Sequence, residues 1–263
     1  MKTKKVAVSQ AYRAFKHPSS ALFRSIEFST IYENTKNINF KGPSLDLGCG
    51  DGKTVEMLFD GQFTYGVDNG EANDVDVAIK NNVYKKVLVE SAEKMSLLDA
   101  SVDLIFSNCV IEHIPDNAAV LRESSRILRR GGQFVFTVPS HNFPDYLFIT
   151  NKLLGLGLAS LSRFYKYRRN KSLNQFHCYS AKDWEKKLKK NGFRIKSARY
   201  YMSKNALMLW DKMALEVFLL SKLNRKAESI IYKKYKKEIR NYYESDQALN
   251  SNGAGLFVHA IKE

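Results

Sequence analysis

The chain has 263 residues, 44% hydrophobic and 26% charged, which suits a globular enzyme with a full core and excludes a fibrous or disordered chain. Three scattered cysteines (Cys49, Cys109, Cys178) rule out a disulfide framework, and with no Cys-x-x-Cys pair no metal site is expected. The net charge of +15 is unevenly placed: residues 1–140 hold 17 basic and 17 acidic side chains, so the whole excess lies in 141–263.

From the N-terminus, Met1-Lys2-Thr3-Lys4-Lys5 is basic, but no apolar h-region follows it. No apolar run reaches the roughly 18 residues of a spanning helix, so a cytoplasmic setting is expected. Ala11, Phe15, Ala21-Leu22, Ile26 and Ile31 recur at near-helical spacing, which predicts helix over about 10–35 with a break at His17-Pro18. After Gly42-Pro43, a short strand at 44–47 runs into a glycine loop, and a helix follows at 54–59. Strand two, 63–67, ends at Asp68. Strands three, four and five are expected at 87–89, 102–107 and 133–138. Before strand five, 118–129 is amphipathic with Val120, Leu121, Ile127 and Leu128 inward, and Gly131-Gly132 reads as its left-handed C-terminal cap. Ser180 reads as the N-cap of a helix at 181–191, with Asp183 at its third position. Strands at 195–201 and 256–261 flank a long helical stretch, about 205–245.

This alternation implies right-handed crossovers and an α/β fold: a doubly wound, mostly parallel seven-stranded sheet with helices on both faces. Ligands in such folds sit beyond the carboxyl ends of the strands. The loop Leu45-Asp46-Leu47-Gly48-Cys49-Gly50-Asp51-Gly52 stands at the first such end, where glycines let backbone approach a ligand and helix N-terminal amides face it. Its spacing is Gly-x-Gly-x-Gly rather than the Gly-x-Gly-x-x-Gly of dinucleotide binders. Asp68 lies 20 residues beyond Gly48, where a carboxylate can accept hydrogen bonds from both ribose hydroxyls.

With these residues in hand, the sequence resembles the class I S-adenosylmethionine (SAM)-dependent methyltransferases, in the broad small-molecule group that includes ubiquinone and menaquinone biosynthesis enzymes. Five blocks between Pro43 and Ser140 carry the likeness: Leu45 to Gly52, Gly66-Val67-Asp68, Ser91-Ala92-Glu93, Ser101 to Ile114, and Arg122 to Val138. The resemblance implies a Rossmann-like fold and SAM as methyl donor, with S-adenosylhomocysteine as product. It places Gly48 and Gly50, with Cys49 between them, along the methionyl part and Asp46 toward its ammonium. Asp68 would take the ribose, Ala92 and Glu93 the adenine, and Asn108 the end of strand four beside the methionine. The chain then divides, within a single methyltransferase domain, into an N-terminal helical segment (1–42), a SAM-binding core (43–140), a lid insertion after strand five (141–180) and a helical insertion between the last two strands (205–252).

SAM carries its own leaving group, so the protein mainly aligns the reacting atoms. A hydroxyl acceptor adds the need for a base, for which His113, His141, His177 and Tyr179 are the candidates. The acceptor is expected to be a small-molecule, sugar or lipid-linked compound, methylated at oxygen. The nearly uncharged stretch 146–161 and the five basic residues of 163–171 suit an acidic acceptor or a peripheral contact with an anionic membrane. A nucleic-acid substrate for the basic half is the rival, although no Asn-Pro-Pro-Tyr-type motif follows strand four. A catalytically silent scaffold is the other.

Overall fold

The structure, a computed structural model, describes residues 1–70, 74–249 and 252–263. Two helices, α1 (Val8–Phe15) and α2 (Pro18–Thr35), part where Lys16 turns left-handed at φ 54° and Pro18 enters the first turn of α2. A first turn is the one place in a helix where a missing N–H is harmless. The chain then alternates: β1 (Ser44–Leu47), α3 (Lys53–Leu58), β2 (Phe63–Asp68), α4 (Val75–Lys80), β3 (Tyr84–Val89), β4 (Val102–Asn108), α5 (Asn117–Ile127) and β5 (Leu128–Pro139). After β5 come α6 (Phe148–Gly155), α7 (Ala159–Ser172), α8 (Ala181–Lys190), β6 (Phe193–Tyr201), α9 (Lys204–Ser221), α10 (Ala227–Ser245) and β7 (Gly255–Lys262).

The sheet runs β3-β2-β1-β4-β5-β7-β6, parallel except for β7, which is antiparallel to β5 and β6. The order reverses between β1 and β4, so the loops at their carboxyl ends diverge and leave a crevice. Strand β4 shows how the sheet divides the core. Leu104 and Phe106 face a layer shared with α2, α3, α9 and α10, whereas Ile105 faces one shared with α5 and α8, as a period-two strand requires. Trp184 and Leu188 of α8 are fully buried in the second layer, each stabilising the fold by about 2–3 kcal/mol. The Ser180 hydroxyl accepts from the Asp183 N–H at 3.2 Å, so the expected cap of α8 is present.

Helices α9 and α10 both pack on α2; of the expected 205–252 stretch, positions 250–251 lie outside the described residues. One local expectation is overturned. Gly131-Gly132 does not cap α5: the helix ends at Ile127, Leu128 turns extended and pairs with Val102, and Gly131 (φ 78°) sits in a bulge before Gln133 pairs with Leu104. The glycine is used for a positive φ, but inside a strand.

Candidate functional site

At the end of β1, Gly48, Gly50 and Gly52 all have positive φ (80°, 47° and 79°), which L side chains adopt only with strain. The Gly48 and Cys49 N–H groups donate to the Val67 carbonyl at 2.8 and 3.0 Å, which ties the loop to β2. A Cβ on Gly48 would lie 2.3 Å from Val110, so glycine is needed for the loop after β4 to approach this closely. Nothing stands within 4 Å of a Cβ built on Gly50.

Asp68 is held by main chain on both oxygens: Oδ2 accepts from Gly50 N–H and Oδ1 from Gly70 N–H, each at 3.0 Å. A carboxylate has about four acceptor positions, so two remain for a vicinal diol. Asp68 and Gly48 border a cleft of about 730 Å³ with Ala92, Glu93, Val110 and His113 on its walls. Leu173, Asn174 and Phe176, which follow α7, also line it. The volume suits a nucleoside-sized ligand, and Val67, Ala92 and Ile114 supply apolar wall for a base. The residues present therefore fit SAM.

Four residues expected at the cofactor, Asp46, Cys49, Gly50 and Asn108, are not on this wall. Asp46 points to the opposite sheet face from Leu45 and Leu47, where it is buried and accepts the Tyr84 hydroxyl at 2.6 Å. Burial, with Asp68 nearby, pushes its carboxyl up to about 7. The Cys49 thiol packs against Gly66, and burial raises its pKa. Asn108 shares the face of Leu104 and Phe106, so it turns toward α2: its Oδ1 accepts from Arg24 Nη1 and its Nδ2 donates to Thr137 Oγ1, both at 2.6 Å.

Of the four base candidates, only His177 and Tyr179 are brought together. His177 donates from Nε2 to the carbonyls of Ile114 (3.0 Å) and Pro115 (2.9 Å), while its Nδ1 accepts the Tyr179 hydroxyl at 2.9 Å. That pair ties the segment before α8 to the turn after β4. His141 lines a neighbouring groove with Arg163, Lys166 and Tyr167, which shares Asn174 and Phe176 with the cleft. His113 alone borders the cleft, with Nδ1 donating to the Asn174 carbonyl at 3.0 Å and Nε2 3.6 Å from Glu112 Oε1.

Behind His113 and Leu173 lies a second cavity of about 250 Å³, bordered also by Phe23, Phe143, Trp210, Arg24, Cys109 and Glu112. Arg24 Nη1 is 2.6 Å from Glu27 Oε2. Glu27 is fully buried, and its Oε1 accepts from the Tyr201 hydroxyl (2.9 Å) and the Cys109 thiol (3.1 Å). Arg24 keeps the Glu27 carboxyl below its ordinary value although burial opposes this. At Glu112 burial outweighs the pull of Arg24 and drives the carboxyl up to about 8. Cys109 adopts φ 54°, a strained position for a non-glycine residue at the mouth of this cavity.

Sequence reasoning missed Arg24, Glu27 and Glu112. The signals were an i, i+3 charge pair inside the small and apolar run 21–28, and a glutamate directly after Val110-Ile111.

The strand order with a reversed last strand, the glycine loop and the carboxylate ending β2 together form the frame shared by class I SAM-dependent methyltransferase folds. Residues 45–136 match the methyltransferase domain family. A probable SAM-dependent methyltransferase of Mycolicibacterium smegmatis is 29% identical over 143 residues, covering 51% of this chain and 54% of that protein. A ubiquinone biosynthesis O-methyltransferase of Pseudomonas savastanoi pv. phaseolicola is 34% identical over 110 residues, 40% of this chain and 47% of that one. The chain thus spans about half the length of the curated relatives it matches. In structure it is similar to phosphoethanolamine N-methyltransferase 2 of Haemonchus contortus in complex with SAM, with a TM-score of 0.57, 18% identity, and coverage of 98% of this chain and 60% of the other. At that identity the likeness concerns the fold.

Proposed function

We propose that this chain transfers a methyl group from SAM to an oxygen of a small-molecule, sugar or lipid-linked acceptor. The observation that carries this reading is the cleft at the β1–β4 crevice, with Asp68 fixed by two backbone N–H groups and a second cavity behind its His113 wall. In this reading Asp68 holds the ribose, Ala92 and Glu93 flank the adenine, and the loop at Gly48 and Gly50 receives the methionyl part. SAM supplies a methyl group on a sulfonium that needs no further activation. The chain aligns the acceptor with it, and Leu173, Asn174 and Phe176 exclude water from the outer side of the cleft as a lid. Asp46, buried on Tyr84, acts from below by supporting the loop rather than by touching the ligand.

Calorimetry with SAM and S-adenosylhomocysteine tests the donor: micromolar binding by the parent and its loss in Asp68→Ala are expected, and no binding by the parent rejects the reading. Release of S-adenosylhomocysteine with an acceptor separates an enzyme from a silent scaffold.

The α6–α7 region supports an additional contact with an anionic membrane. Leu154, Leu156, Leu158, Leu161 and Phe164 are all exposed, beside Arg163, Arg168 and Lys171 on α7. Apolar side chains flanked by cations suit the interface of an acidic bilayer. Among the described residues no helix is long and apolar enough to cross one. Co-sedimentation with phosphatidylglycerol vesicles, but not phosphatidylcholine vesicles, is expected, and it should fall with salt and in Leu161→Ser/Phe164→Ser.

A further inference from the structure

We propose that the groove between α7 and the turn after β5 is a phosphate subsite, so that the acceptor is a phosphorylated compound whose reacting end passes Asn174 and Phe176 into the cofactor cleft. This deepens the methyl-transfer reading and rests on it. The groove encloses about 720 Å³, far more than a phosphate fills, so it has room for the group that the phosphate is attached to. Asn174 and Phe176 line both the groove and the cleft, and Gln175 between them also lines the 250 Å³ chamber behind His113. A ligand anchored by its anion in the groove therefore reaches either space past one short segment.

Helix α7 sorts its side chains by face. Ser162 and Arg169 turn to the protein: the Ser162 hydroxyl donates to the Thr150 carbonyl at 3.0 Å, and Arg169 Nη2 lies 3.4 Å from Asp211 Oδ1. Leu161, Phe164 and Arg168, three and four residues apart, form the outer side, and there Leu161 and Phe164 are exposed. Arg163, Lys166 and Asn170, at the same spacing, form a third side, and all three line the groove. A cationic side closing over a recess, with a separate side left to the surroundings, is what a bound anion asks for and solvation does not. The opposite wall comes from the carboxyl end of β5, at the ligand-bearing end of the sheet. There the His141 ring stands edge-on to Tyr200, with centroids 6.1 Å apart, and its nitrogens have no hydrogen-bond partner among the described residues.

Charge sets the ligand. The lining holds Arg163, Lys166 and Lys171 against one carboxylate, Asp145, which Lys166 engages at 2.7 Å. Arg163 Nη2 has only the Ser160 hydroxyl, at 3.3 Å, and Lys171 has no ion pair among the described residues. The other carboxylate near His141, that of Asp183, accepts the Ser180 hydroxyl at 2.6 Å. Two cations are left over. A phosphate monoester carries nearly two negative charges at neutral pH and three strong acceptor oxygens, so it matches that excess, whereas one carboxylate would leave a cation unmatched. The Arg163 fork suits two of those oxygens and the Lys171 ammonium a third.

Inorganic pyrophosphate would be titrated into the full chain by calorimetry at low salt, with and without saturating S-adenosylhomocysteine. It should bind in both cases, because the groove lies beside the cleft and not within it. Arg163→Ser/Lys171→Ser should weaken pyrophosphate about tenfold or more with S-adenosylhomocysteine affinity unchanged, and Asp145→Asn, which releases Lys166, should tighten it severalfold. Lys236→Ser/Lys237→Ser on α10 removes the same charge elsewhere, and Leu161→Ser/Phe164→Ser alters only the outer side of α7; both should bind pyrophosphate as the parent does. No binding by the parent, unchanged affinity in Arg163→Ser/Lys171→Ser, an equal loss in either control, or displacement of S-adenosylhomocysteine overturns the proposal. Co-sedimentation with phosphatidic acid vesicles then identifies the source of the phosphate. Competition by pyrophosphate assigns it to a lipid headgroup, independence assigns it to a soluble phosphorylated compound, and the subsite stands in either case. Failure of S-adenosylhomocysteine to bind the parent would instead reject the methyl-transfer reading, and the pyrophosphate titrations without it would still decide the groove.

Discussion

The two cavities that meet at His113 are built by opposite means. The cleft draws its main contacts from one continuous stretch, Gly48 to Pro115, and its organisation is mostly main chain: three left-handed glycines, backbone N–H groups and a single carboxylate at a strand end. The chamber takes side chains from α2, the end of β4, the segment after α7, and α9, and it depends on buried charges that neutralise or fail to neutralise one another. Main-chain recognition leaves a spacing that can be read along the sequence, whereas recognition by assembled side chains does not. The same contrast says what mutations should damage: stability at the chamber, ligand affinity at the cleft.

The largest expected effect is at the chamber. Arg24→Met removes the cation from Glu27, which is fully buried, and an uncompensated buried charge costs about 3–5 kcal/mol. Urea unfolding should show that loss as a lower midpoint, while S-adenosylhomocysteine affinity of the folded protein stays close to the parent's. Second in size is Asp68→Ala in the cleft. Loss of a doubly anchored carboxylate should weaken S-adenosylhomocysteine by about 2–3 kcal/mol, roughly 30- to 150-fold, with a much smaller shift of the urea midpoint. If Arg24→Met weakens the ligand as much as Asp68→Ala does, the cavities are not separate in function.

How far each region could be read in advance follows from the same distinction. Strand β1 and the end of β2 were legible to the residue, because a four-residue apolar run between Pro43 and the glycines admits few alternatives, and Asp68 closes the next such run. The break at Pro18 and the Ser180 cap were legible because each is a local rule of helix termini. The Gly131-Gly132 reading failed because positive φ serves a strand bulge as well as a helix cap, and only pairing with β4 decides between them. Asp46 and Asn108 were placed by motif position, but strand alternation turns both away from the cleft toward Tyr84 and Arg24. Glu112 was passed over because its burial is created by distant packing.

A smaller effect probes both cavities at once, because each has a buried carboxyl beneath it. Asp46 is raised from the ordinary 3.8 to about 7, and Glu112 from 4.5 to about 8. In both, the folded state keeps a proton that the unfolded chain gives up at lower pH. Stability therefore falls as pH rises from the unfolded value to the folded one, by up to about 1.4 kcal/mol per pH unit for each group, and then levels off. Below both unfolded values neither group contributes. Asp46→Asn, whose amide oxygen can still accept from Tyr84, should remove the part of this slope that ends near pH 7. Glu112→Gln should remove the part that persists to pH 8. Thermal midpoints measured from pH 4 to 9 would distinguish them: parent and Glu112→Gln should diverge up to pH 8, whereas parent and Asp46→Asn should stop diverging a unit earlier. Curves that part from the parent over the same range would mean that the two carboxyls titrate as one coupled group, and that the cleft and the chamber are electrically a single site.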